Sequence, residues 1–182
     1  MDSGKKNYFK FTVGLVLCLL VRLLPLRAPN IEPILATTMP FSKYYGALAG
    51  FSFAVLSILL YDVLTGTLGL QTLFTTGAYG VIGFWSASYF KKHNSDRWSY
   101  VRFAIIGTLF FDAVTGLTIG PLFFHQSFLT TLVGQIPFTA LHLLGNISFA
   151  LVLSPAIYKF LIKKRKRKSV VSSINILNPK II

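Results

Sequence analysis

Apolar residues in this chain come in long stretches, separated by prolines, glycines and charges rather than by regular polar positions. Between Lys43 and Asp62, Asp62 and Lys91, and Asp112 and Lys159, runs of 18, 28 and 46 residues carry no formal charge. A helix needs about 20 apolar residues to cross a bilayer, so these runs read as membrane segments. Breakers and charges divide them into six. The first covers 10–26 and ends at Pro25 and Pro29. A short second segment, 31–41, opens at Pro33, in the first turn where proline is tolerated, and closes near Pro40. The third is 44–64, ended by Thr65-Gly66; the fourth is 71–90, stopped by Lys91-Lys92; the fifth is 99–117, ended near Gly116 and Gly120. The stretch 121–162 is too long for one crossing and carries Pro137 after Gly134, which predicts a half-helix over 126–135 and a sixth helix over 138–162. The expected fold is an all-α membrane protein, a six-helix transmembrane bundle with one short or broken helix.

Composition agrees with this and charge adds an orientation. Of 182 residues, 53% are hydrophobic, and 18 Lys and Arg face only 5 acids, giving +13. So basic a balance often marks a nucleic-acid binder, but the charge-free runs leave no surface for a soluble one. With the N-terminus inside, 16 of the 18 basic residues fall on cytoplasmic segments, and only Arg22 and Arg27 fall toward the outside. The positive-inside rule therefore predicts both termini in the cytoplasm of a cell-membrane protein. The basic run Lys163–Lys168 then reads as a stop-transfer anchor against anionic lipid. The chain divides into a cytoplasmic N-terminus (1–9), one membrane domain (10–162) and a basic cytoplasmic tail (163–182). Lys5, Lys6 and Lys10 before an apolar stretch mimic an export signal, yet no A-x-A site follows, so the first helix reads as retained. A single cysteine, Cys18, supports neither an internal disulfide nor a cysteine-based metal site.

Two segments fifty residues apart repeat: Leu59-Leu60-Tyr61-Asp62-Val63-Leu64-Thr65-Gly66 and Leu109-Phe110-Phe111-Asp112-Ala113-Val114-Thr115-Gly116. After a five-residue shift, Gln71-Thr72-Leu73-Phe74-Thr75-Thr76 resembles Gln126-Ser127-Phe128-Leu129-Thr130-Thr131. Both copies would run outward, which makes a parallel repeat, and duplicated helix hairpins commonly build transport proteins.

A carboxylate in a membrane helix costs at least about 2.5–3.5 kcal/mol at mid-depth and calls for a partner or a wet cavity. Asp62 and Asp112 each sit one turn inside an outer helix end, with Thr65 and Thr115 on the same faces. Arg22 lies at the depth to pair with either, and Arg27, Asn30 and Glu32 follow in the outer loop. These groups either staple helix ends together or line a polar pocket open to the outside. His142 and Asn146, four residues apart, share a face of the sixth helix, with Gln135 before them. His125 and Gln126 read as a gate or as solvated loop; Tyr45, Tyr79, Trp85 and Phe138 are candidates to stack on a planar ligand, or belong to the core and the interface belt. The chain shows no HExxH, nucleophile elbow or Walker A lysine, so neither an enzyme nor an ATPase is expected, and no metal or cofactor.

The first helix with Arg22, then Pro29-Asn30-Ile31-Glu32-Pro33, then a small-residue helix ending Asp62-Val63-Leu64-Thr65-Gly66, resembles the substrate-capture (S) component of energy-coupling factor (ECF) vitamin transporters. The resemblance covers residues 10–162. It implies a pocket near the outer face for a vitamin or related micronutrient, with Arg22, Asn30, Glu32, Asp62, Asp112, His142 and Asn146 as binding candidates. It also implies docking on a membrane scaffold subunit that carries two cytoplasmic ATPases. Many members present Ala-x-x-x-Ala on the first helix for that contact. Here the counterpart is Gly14-x-x-x-Cys18, with Gly46-x-x-x-Gly50 as an alternative close-packing face that also suits internal packing. The competing expectation is a non-transporting scaffold protein of envelope or cell-shape assembly.

Overall fold

The computed structural model describes residues 3–25 and 30–177, with side chains from 8 to 25 and from 30 to 161. Among them are six helices and no strand: α1 (Ser3–Arg22), α2 (Ile34–Tyr45), α3 (Ala47–Thr65), α4 (Leu70–Lys92), α5 (Arg97–Phe124) and α6 (Phe128–Leu177). Three are long and apolar enough to cross a membrane: Ala47–Thr65, Arg97–Phe124 and the Phe128–Leu161 part of α6. Fewer than four in ten residues of each apolar window are buried inside the protein. Leu48, Val63, Leu129, Ile136 and Val152 are instead exposed. An apolar exterior of that extent suits lipid better than water.

Neighbouring helices alternate in direction. Asp62 meets Thr72 at one end of the α3–α4 pair, while Gly50 lies against Gly83 further along it. The α5–α6 pair is antiparallel too, with Asp112 beside His142 and Thr108 beside Asn146. One end of the bundle thus collects lysines. There Lys10 Nζ donates to the carbonyls of Phe160 and Leu161 (3.4 and 2.9 Å), and Lys43 Nζ to those of Phe90 and His93 (2.6 and 2.7 Å). Arg22, Glu32, Asp62, Asp112 and His142 lie toward the other end.

The short α2 is the hub, with every residue from Ile34 to Ser42 buried. It packs on all five other helices. It does not close at Pro40 as the sequence predicts, but runs on to Tyr45. Pro40 has no N–H for the Ala36 carbonyl one turn back, and the Ser154 hydroxyl of α6 donates to that carbonyl at 2.7 Å instead. A freed backbone acceptor inside a membrane bundle needs such a replacement. The α3–α4 crossing depends on missing side chains. A Cβ on Gly50 would lie 2.5 Å from the Gly83 carbonyl oxygen, which also accepts a 2.8 Å bond from Ser42 Oγ. Close backbone approach through small residues is a recurrent device of membrane helix pairs.

Three boundary expectations are corrected. First, α1 runs over Ser3–Arg22 rather than the expected 10–26. Second, α5 continues through Gly116 and Gly120 to Phe124, where His125 caps it in the left-handed conformation (φ 51°). Third, the break expected between 126–135 and 138–162 is absent, since α6 passes through Pro137 and Pro155 without interruption. Its backbone continues through 163–177, where side chains are outside the described ones. One proline costs a helix a single backbone bond, and surrounding helices hold the axis together.

Candidate functional site

At the end opposite the lysines, α1, α3, α4, α5 and α6 surround an open cavity of about 670 Å³. Its size falls within the range of small-molecule sites. Arg22, Asn30, Glu32, Asp62 and His142 all line it. Asp112 and Asn146 do not; they lie behind its wall, between α5 and α6.

Arg22 is buried and engaged on three sides. Its Nη1 donates to the Ser57 carbonyl at 2.5 Å, its Nε and Nη2 face Glu32 at 3.3 and 3.4 Å, and its plane stacks 3.8 Å from the Tyr61 ring centroid. This corrects the expected pairing, because the partner of Arg22 is Glu32 rather than Asp62 or Asp112. A planar guanidinium serves three directions at once, which a lysine ammonium cannot. Asn30, next to Glu32, sits at φ 63°, a left-handed conformation that asparagine tolerates better than most residues. Arg27 lies outside the described residues.

The two aspartates of the repeat have different environments. Asp112 is buried, and its Oδ1 lies 2.7 Å from His142 Nδ1. That hydrogen bond takes up one ring nitrogen of a histidine that also lines the cavity. Edge contacts from Phe111 and Phe138 fix the imidazole. One turn deeper, Asn146 Nδ2 donates to Thr108 Oγ1 at 2.8 Å, which makes a second rung of the same polar ladder. Asp62 is half-exposed at the cavity wall, and among the described residues its Oδ2 accepts a single bond, 2.6 Å from Thr72 Oγ1. Thr72 Oγ1 in turn accepts from the Gly69 N–H at the start of α4.

The remaining wall was only partly foreseen. Tyr79, Phe138, Gln126 and Gln135 line the cavity, whereas Tyr45, Trp85 and His125 do not. Gln71, Thr75, Thr130 and Thr131 line it as well, although the sequence reading gave them no role in binding. Their signal was available in the repeat itself, since Gln71 and Thr75 of the first copy match Gln126 and Thr130 of the second. The copies diverge at their glycines. Gly66 ends α3 in the left-handed conformation (φ 69°), while Gly116 stays helical with the Gln135 amide packed against it. The longer α5 accounts for the five-residue shift.

The candidate partner-contact residues lie elsewhere. Cys18 is buried, and a side chain on Gly14 would run into the Phe41 ring, its Cβ 2.5 Å from Cζ. Gly50 is taken up by the α3–α4 crossing, and Gly46 forms the α2–α3 turn at φ 99°. Gly14, Cys18 and Gly50 thus make packing contacts within the bundle, the internal role that also suited Gly46-x-x-x-Gly50. Among the described residues no three His, Cys, Asp or Glu side chains are grouped to hold a metal ion.

Searches of protein-family models, of curated proteins and of solved structures find nothing that matches this chain. The fold stands as an all-α six-helix protein with three candidate membrane-spanning helices. Function has to be argued from the cavity.

Proposed function

We propose that this chain is the substrate-capture subunit of an ECF-type importer, which binds a vitamin-sized micronutrient in the cavity at the outer face of a cell membrane. The observation that carries the reading is the cavity itself: about 670 Å³, open at one end of an apolar bundle, with polar groups from five helices converging on it. Helix-stapling alone needs ion pairs and hydrogen bonds but no such space between them. The lysine contacts at the opposite end support a multi-pass orientation with that end, and both termini, in the cytoplasm. The sequence carries no ATP-binding motif, so energy would come from a membrane scaffold subunit with two cytoplasmic ATPases. With Gly14 and Cys18 turned inward, the scaffold contact would lie on another face.

The test is uptake. Vesicles holding the chain with ECF scaffold and ATPase subunits should accumulate one member of a panel of vitamins and precursors, dependent on ATP. Absence of ATP-driven uptake, together with persistent association with envelope-assembly proteins, would favour the non-transporting scaffold instead.

A further inference from the structure

The proposed function leaves the ligand's chemistry open, and the two copies of the repeat narrow it. In the second copy the acid has a built-in counter-group: α6 supplies His142 to Asp112 at 2.7 Å. In the first copy the equivalent acid, Asp62, receives from α4 only the uncharged hydroxyl of Thr72. Among the described residues no Lys, Arg or His pairs with Asp62. The nearby guanidinium of Arg22 is held by Glu32, the Ser57 carbonyl and the Tyr61 ring. Asp62 Oδ1 therefore meets the cavity without a described hydrogen-bond donor, whereas Asp112 on the matching helix has His142 against its Oδ1.

We infer that the cavity selects an organic cation, whose protonated nitrogen binds Asp62 and takes the place that His142 occupies beside Asp112. The inference rests on the capture reading above and specifies the class of molecule captured. Three further observations favour such a ligand. The cavity far exceeds the volume of a metal ion, and the described residues include no metal-binding group. Its walls include Tyr79, Phe111 and Phe138, and aromatic faces attract organic cations. The Tyr79 and Phe111 rings lie against each other there, their centroids 4.4 Å apart and their planes tilted by 46°. An anionic ligand is disfavoured, since its natural anchor, Arg22, is already engaged and Asp62 would repel it.

The experiment uses the purified full-length protein in nanodiscs and three probes of one shape: tryptamine, tryptophol and indole-3-acetate, which carry a cation, a neutral hydroxyl and an anion. Titration calorimetry should show tryptamine binding at least about tenfold more tightly than tryptophol, the effect of one charge-assisted hydrogen bond, and no binding of the acetate. Asp62→Asn should reduce tryptamine to the level of tryptophol, and Asp62→Glu should retain the preference, which separates lost charge from lost folding. Equal binding of the three probes, failure of tryptamine to bind, or a preference that survives Asp62→Asn would overturn the inference. ATP-driven uptake of a neutral or anionic compound would overturn it while leaving the importer reading intact. Tryptamine selectivity without any ATP-driven uptake would do the reverse.

Discussion

Replacing His142 with leucine removes the cation-capable partner of a buried carboxylate and puts an apolar side chain against Asp112 Oδ1. Asp112 and His142 each keep about 4% of their side-chain surface accessible, and their contact is 2.7 Å. The other carboxylate oxygen, Oδ2, has no hydrogen-bond partner among the described residues. The substitution therefore strands both oxygens. Breaking a buried ion pair from one side costs about 3–5 kcal/mol, whereas a neutral interhelical hydrogen bond in a membrane protein is worth about 0.6 kcal/mol on average. The gap decides between a charged pair and an incidental polar contact. Leucine also gives up the edge contacts with Phe111 and Phe138, but its apolar body replaces most of that packing. Reversible unfolding in mixed micelles should show a loss of about 3–4 kcal/mol for His142→Leu, and recovery of most of it in Asp112→Leu/His142→Leu, where no charge is left unpaired. A single-variant loss below about 1 kcal/mol, or a double variant no more stable than the single, would refute the reasoning.

Four other substitutions test different parts of the structure. Gly50→Ala places a methyl 2.5 Å from the Gly83 carbonyl oxygen. It should lower stability by about 1–3 kcal/mol in thermal unfolding by forcing α3 and α4 apart. Gly77→Ala, with open space around it, should be neutral or slightly stabilising in the same assay. Asp96 caps α5 by accepting from the Ser99 N–H and Oγ at 2.9 and 2.8 Å, and these bonds hold its carboxyl below the usual range. Asp96→Ala should cost about 1 kcal/mol near neutral pH. Because the folded-state value is lowered, that contribution is complete above the ordinary aspartate value and is lost as pH falls through the folded one. The difference between wild type and variant should thus close below about pH 4 in pH-dependent melts. Arg22→Lys keeps the charge but not the three-way geometry, and should lower stability by about 1–3 kcal/mol and weaken ligand binding, as read by melting and calorimetry.

Much of the bundle was legible because charge-free runs and breakers mark apolar helices directly: α3 and α4 lie within a few residues of their expected limits. The misplaced boundaries of α2, α5 and α6 share one cause. Pro40, Pro137, Gly116 and Gly120 are read locally as helix stops, yet each lies within a helix. Ser154 repairs the break at Pro40 from a distance of more than a hundred residues, and Gln135 fills the space beside Gly116. The scarcity of acids pointed to the right half of the molecule for Glu32, Asp62 and Asp112. Their partners were not legible, because the pairing of Asp112 with His142 depends on the register of α5 against α6. The Gln and Thr lining was visible as a repeat but looked like ordinary helix-end polarity until the two copies faced the same space.

The account depends on a small molecule occupying the cavity, and native mass spectrometry of the protein released from its own membrane tests that most directly. Gly134 lines the cavity with nothing within 4 Å of an added Cβ, so Gly134→Trp should fill the space without disturbing the fold. The account predicts a one-to-one complex with a non-lipid small molecule in the wild type, absent from Gly134→Trp. Wild-type protein carrying only lipid, or a bound molecule retained unchanged in the filled variant, would contradict it.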